Sequence, residues 1–129
     1  MLDANIIVSA ILFPQSIISK MIKHMVLNHK LILSQYTIDE IKEVFNKKFK
    51  NKIYEMDDFL EKLPYKLFSL KEMNYKDYPN IRDIDDLPVL VNAIVSNVNL
   101  LVTGDKDFDG IKTKGLKILK PKEYVDGYM

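Results

Sequence analysis

At 129 residues the chain fits one domain that can bury a core of its own. It has no cysteine, which excludes disulfide frameworks and thiolate metal sites, and its formal net charge of +1 gives no whole-molecule signal for a polyanionic partner. No apolar run approaches the roughly 18 residues of a membrane span, and Met1-Leu2-Asp3 opens without the basic and apolar regions of a signal peptide; the expectation is a soluble cytoplasmic protein with no membrane partner.

In chain order, Asp3 and Asn5 lead into the apolar, β-branched run Ile6–Val8. Only two residues precede Asp3, so any strand upstream of it is very short. Beyond Pro14, Ile17, Ile18, Met21, Ile22 and Met25 recur at helical spacing. Leu31-Ile32-Leu33 reads as a short strand ending in Ser34. Thr37 with Glu40 three residues later has the form of a capping box. The helix it opens would carry Ile38, Ile41, Val44 and Phe45 on one face, with Glu40 and Glu43 on a neighbouring one. Residues 57–70 look amphipathic through Phe59, Leu60, Leu63 and Leu67, which predicts a helix interrupted or kinked at Pro64.

Lys71–Tyr75 has the pattern of a weak strand, followed by a polar loop over Lys76–Asp86 that carries Asp77, Asp83, Asp85 and Asp86. Either Asp85 or Asp86 can cap the next helix, Leu87–Asn97, with Pro88 in its first turn. That helix is apolar nearly all round and should be buried. Leu100, Leu101 and Val102 form a buried strand that ends in Thr103-Gly104 and meets Asp105, Asp107 and Asp109. Leu116, Ile118 and Leu119 make a last strand, stopped by Pro121. Strands alternating with helices point to a three-layer α/β/α sandwich with a mainly parallel central sheet, one domain over residues 1–129.

Such a sheet brings its parallel strand ends to one edge, where open α/β folds bind ligands. Asp3, Glu40, Asp86, Asp105 and Asp107 all fall near that edge. Taken singly each has an ordinary role: Glu40 a capping-box partner, Asp86 a helix cap, Asp105 a turn residue. Together they cannot all stay ionised without a counter-charge. An all-oxygen set with no cysteine, and no histidine beside it, suits Mg²⁺ or Mn²⁺ rather than zinc. Such ions activate water and offset charge on a phosphoryl oxygen, the chemistry of phosphodiester hydrolysis. The run from Asp105 to Gly110 also opens like a calcium loop, but position twelve is Leu116 where that loop needs a bidentate Glu. Basic residues number nineteen, all lysine but Arg82. They cluster at Lys47, Lys48, Lys50 and Lys52, and again at Lys112, Lys114, Lys117, Lys120 and Lys122. Such clusters either neutralise phosphates or form ordinary solvated surface.

Four stretches carry a resemblance. Leu2-Asp3-Ala4-Asn5 followed by Ile6–Ala10 resembles the opening of PIN-domain proteins, and Ser34 through Glu40-Ile41 to Val44 is similar to their second acidic motif. Arg82–Asp86 before an apolar helix with Ala93 is similar to the third, and Thr103-Gly104-Asp105-Lys106-Asp107-Phe108 to the fourth. The close, Ile118 to Tyr124 through Pro121, also looks like that family's. The likeness is greatest to the toxins of toxin–antitoxin systems, the VapC-like ribonucleases. It implies a PIN-like fold and a metal-dependent endoribonuclease using Mg²⁺ or Mn²⁺. Asp3, Glu40, Asp86 and Asp105 would be its catalytic, metal-binding acids. Asp107 would support a second ion or a water, Asn5 would steady Asp3, and Thr103 would hydrogen-bond within the site. The implied partners are an RNA substrate, an antitoxin protein and a second copy in a homodimer, for which the apolar residues of the Met21–Leu27 helix are available.

Glu43 rivals Glu40, and Asp85 rivals Asp86; the match to Ser34 favours Glu40, and the spacing to Ala93 favours Asp86. Ala4 stands where the family usually has Thr, and the first strand is short, which would loosen Asp3. An alternative is therefore a catalytically weak PIN-fold module that holds RNA or a protein. A phosphatase or receiver domain fits less well: the first wants Asp-x-Asp where Asn5 stands, and the second wants an early acidic pair where Asp3 is alone.

Overall fold

The computed structural model describes residues 1–70 and 87–129. Its elements are α1 (Ala4–Leu12), α2 (Ile17–Asn28), β1 (Ile32–Ser34), α3 (Gln35–Lys48), α4 (Ile53–Lys62), β2 (Lys66–Phe68), α5 (Leu87–Val95), β3 (Leu100–Val102), β4 (Lys117–Leu119) and α6 (Pro121–Tyr128). The strands pair in parallel, β1 with β2 and β3 with β4, through the registers Leu33↔Leu67 and Leu101↔Ile118. The expected weak strand at Lys71–Tyr75, the loop Lys76–Asp86 and the acids Asp77, Asp83, Asp85 and Asp86 lie outside the described residues.

The short first strand is reduced to a single parallel bridge, Leu2 with Val102. Met1 donates its amino N–H to the Leu100 carbonyl at 2.8 Å, Val102 donates to Met1 at 2.9 Å, and Asp3 donates to Val102 at 3.3 Å. This ladder ties Asp3 directly to β3. Side chains then alternate to opposite faces, as the pleat requires. Leu2, Leu33 and Val102 enter one core with α1, α2, α3, α4 and α6. Met1 and Leu101 enter a second core with Val89, Leu90 and Ala93 of α5, and Ile32 and Ile118 pack against it. Helices on both faces of parallel strands give the expected α/β layering.

Several local expectations are corrected. α3 begins at Gln35, three residues before Ile38, because the Ser34 hydroxyl accepts the Thr37 N–H at 3.1 Å and so caps the helix. Thr37 and Glu40 are therefore not a capping box. α4 starts at Ile53 and ends at Lys62, ahead of Pro64, so residues 57–70 are not one kinked helix. Lys66–Phe68 is instead the strand β2, extended because proline ends the helix and the residues beyond it pair with β1. Ile6–Val8 lies within α1, which Asp3 caps. The helix after the acidic loop ends at Val95 rather than Asn97, where Asn97 takes a left-handed φ of 61° that breaks the helical backbone. Met21, Ile22 and Met25 are core residues, so in the Met21–Leu27 stretch only Leu27 is an exposed large hydrophobic.

Candidate active site

The strand ends and helix starts deliver three acids to one edge. Asp3 follows the first strand and heads α1; Asp105 follows β3; Glu40 projects from the second turn of α3, directly after β1. Asp3 is 8% exposed, and Glu40 and Asp105 are half-buried.

Asp3 is held on both carboxylate oxygens. Its Oδ1 accepts the Ile6 N–H at 3.4 Å, capping α1, and its Oδ2 accepts the Thr103 hydroxyl. The Thr103 Oγ1 in turn accepts the Asp105 N–H at 3.2 Å, and Asp105 Oδ1 accepts the Asp107 N–H at 2.9 Å. One chain of hydrogen bonds thus runs from the first strand through Thr103 into the turn Lys106–Phe108. Thr103 is fully buried, with its N–H bonded to the Leu119 carbonyl at 3.0 Å, so this relay rests on the β3–β4 pairing.

Electrostatics link the same residues. Burial pushes the Asp3 carboxyl above the usual carboxylate range; the Thr103 and Ile6 hydrogen bonds oppose that, and the Asp105 charge adds to it. Burial likewise pushes Glu40 up, followed by the charges of Asp3 and Glu43. Asp3 thus feels the charge of Asp105, and Glu40 that of Asp3, across a partly desolvated edge. Glu43 is different. Its carboxylate meets Lys47 at 2.6 Å on the exposed side of α3, and that contact lowers its pKa. Of the two rivals on α3, Glu40 is the one on which the Asp3 charge acts.

Asp107 is half-buried and contributes its backbone N–H to the relay. The Asn5 side chain is exposed; it is the Asn5 backbone N–H that favours the Asp3 carboxylate. Asp86 lies outside the described residues. Ser34, not Thr37, is the cap of α3; Ser34-x-x-Thr37 at a strand end is the signal for it, masked by the Thr37–Glu40 spacing. The Glu43–Lys47 spacing of four residues, which separates Glu43 from Glu40, was also legible.

The donor set at this edge is carboxylate oxygen, the chemistry that hard divalent cations take. Burial disfavours the ionised forms of Asp3 and Glu40, and the ion pairs Lys47–Glu43, Lys62–Asp58 and Lys120–Asp109 engage other acids. Among the described residues, no three acidic or histidine side chains close into a metal-binding group. Asp3, Glu40 and Asp105 are thus an open, oxygen-only set.

The PIN-domain family model matches residues 1–107. The chain belongs to the PIN-domain family. Among solved structures, this PIN domain is similar to a chain in the crystal structure of VapBC2 from Rickettsia felis bound to a DNA fragment from their promoter. The TM-score is 0.70 at 21% identity, covering 93% of this chain and 96% of that one, which is a likeness of fold. Comparison with curated protein sequences gives no match. No single helix among the described residues of this PIN domain is long and apolar enough to cross a membrane.

Proposed function

We propose that this PIN domain is a Mg²⁺- or Mn²⁺-dependent endoribonuclease, the toxin of a toxin–antitoxin pair, with Asp3, Glu40, Asp86 and Asp105 as its acids. The observation that carries this reading is Asp3: a buried carboxylate, destabilised when ionised, linked to Asp105 through Thr103 and to Glu40 through its charge. A buried acid surrounded by acids is poorly explained as structure alone. The fold likeness to a chain of VapBC2 bound to promoter DNA supports the toxin–antitoxin assignment and an antitoxin as partner. RNA is the substrate in this reading, and a second copy completes a homodimer in the cytoplasm.

Asp3, Glu40 and Asp105 would hold the cation, with Asp86 as a fourth acid and Asp107 beside them. When bound, the cation supplies charge to offset a phosphoryl oxygen and lowers the pKa of water. The chain's own part is positioning. Thr103 fixes the rotamer of Asp3 by donating to Oδ2, and the Asp107 N–H orients the Asp105 carboxylate. Preorganised ligands of this kind spare the site reorganisation during the reaction.

Cleavage of a labelled unstructured RNA with Mn²⁺ or Mg²⁺ tests the reading, with EDTA and Asp105→Asn as controls. Metal-dependent cutting that both controls abolish is expected. Cutting that survives Asp105→Asn would overturn the site assignment, and a folded protein that cuts neither this RNA nor cellular RNA would be a binding module instead.

A further inference from the structure

The lysine run at the end of α3 is not used by the acid site, and its surroundings point to a second role. Between Asn46 and Tyr54 the sequence holds Lys47, Lys48, Lys50 and Lys52 and no acid. Phe49 and Ile53 pack inward against the core, and the Phe49 ring sits 5.6 Å from that of Phe45. The turn Lys50–Lys52 is therefore anchored, and Lys48, Lys50, Lys52 and Tyr54 face solvent. Lys47 is engaged by Glu43. Among the described residues, Lys48, Lys50 and Lys52 form no ion pair.

An ordinary account covers part of this. Cations in the last turn of a helix offset its dipole, which explains Lys47 and Lys48. It does not reach Lys50 and Lys52, which lie beyond the helix end. Nor does it explain Tyr54, whose side chain is 78% exposed and, among the described residues, makes no hydrogen bond or ring contact. Tyrosine normally contributes by burying its ring. Here the ring stands in water beside cations, on an anchored element. Lysines followed by a solvent-facing aromatic are what a single-stranded nucleic acid uses: phosphates on the cations, a base on the ring.

We infer that residues 47–54 form a second contact for the RNA strand, outside the acid site, where Lys48, Lys50 and Lys52 hold phosphates and Tyr54 stacks a base. This rests on the nuclease reading for its ligand. α3 joins the two places: Glu40 and Lys48 are separated by about 12 Å of helix at the usual rise of ~1.5 Å per residue, within the reach of a few nucleotides. Such a contact is tolerant of sequence, because every base has a stacking face. It would bind RNA of any sequence and leave the choice of cut to the acid site.

The test is fluorescence anisotropy of a labelled oligouridylate in EDTA, so that nothing is cut. The proteins are wild type, Asp105→Asn, Tyr54→Ala, Tyr54→Phe and the triple variant Lys48→Ala/Lys50→Ala/Lys52→Ala. Tyr54→Ala is expected to weaken binding about tenfold with the salt dependence unchanged, and Tyr54→Phe to bind like wild type. The triple variant should flatten the slope of log K against log salt by about two, since each neutralised phosphate of a single strand contributes roughly 0.7. Melting temperatures should move little, because all four side chains are exposed and only Lys48 sits in the last turn of α3, where its charge offsets the helix dipole. Asp105→Asn should bind normally while losing cleavage. Wild-type affinity in Tyr54→Ala and a wild-type slope in the lysine variant would overturn the surface and leave the nuclease intact. A wild-type protein that neither binds nor cuts RNA would overturn both.

Discussion

Thr103 carries no charge, yet the site is assembled on it. Its hydroxyl donates to Asp3 and accepts from the Asp105 N–H, so one buried oxygen sets the relation between the acid of the first strand and the acid of β3. Thr103→Val keeps the shape and removes the hydroxyl. The Thr103 bond holds the Asp3 pKa down against burial, so its loss should move Asp3 further up. Carboxyl ¹³C titration by NMR would show this as an Asp3 midpoint at higher pH, and the acid limb of the cleavage profile should follow it. Stability should fall by about 1–2 kcal/mol for the lost buried hydrogen bond. An unmoved Asp3 midpoint would mean that Thr103 is packing alone. At this scale the sequence was informative about which acids share an edge and silent about what joins them. Asp3, Glu40 and Asp105 were legible because strand ends in a parallel sheet share an edge. Thr103 could be named only through the family resemblance, since a hydroxyl's partner depends on a rotamer and a register that spacing does not encode.

At the scale of elements, the proposed site needs α3 to present Glu40, and where the helix starts sets where Glu40 falls on it. The helix begins on Ser34, whose hydroxyl accepts the Thr37 N–H and also donates to the Thr37 Oγ1 at 3.1 Å, both groups fully buried. Ser34→Ala removes the cap and leaves the Thr37 hydroxyl without its donor. A loss of about 1–2 kcal/mol in chemical unfolding is expected, with Glu40 displaced enough to weaken metal-dependent cleavage. Stability within a few tenths of a kcal/mol of wild type would show that the start of α3 is held by packing instead. The same element shows why boundaries were harder to read than patterns. Ile38, Ile41 and Phe45 are buried as their spacing predicts, but Thr37–Glu40 imitates a capping box one turn inside a helix already begun. Leu67 continues the apolar spacing beyond Pro64, which predicts a kinked helix. Leu67 in fact belongs to β2, where pairing with Leu33 overrides local preference.

For the whole molecule, the two raised carboxyls tie stability to pH and to the cation. The folded-state pKa values of Asp3 and Glu40 lie above those of the unfolded chain. Folding therefore favours their protonated forms: the stability they contribute is fully present below the unfolded values and is lost as pH rises through the folded ones. Asp3→Asn removes one of these groups, and Asn can still cap α1. The melting temperature of Asp3→Asn minus that of wild type, both free of metal, should accordingly become more positive as pH rises through the carboxylate range. Comparing the pair cancels groups of opposite sign such as Glu43, which Lys47 holds down. A divalent cation should undo the penalty, because it binds the ionised acids of the folded state and not the unfolded chain. At a hundredfold excess over Kd it stabilises by about 2.7 kcal/mol. Calorimetry at neutral pH should then show Mn²⁺ raising the melting temperature of wild type, with little effect on Asp3→Asn or Asp105→Asn. Alternating strands and helices made the layered fold readable, and that fold explains why acids distant in sequence share one desolvated edge. Equal Mn²⁺ shifts in all three proteins would place the cation elsewhere. A variant-minus-wild-type difference flat across pH would mean that Asp3 is not held in the folded protein at the cost of its charge.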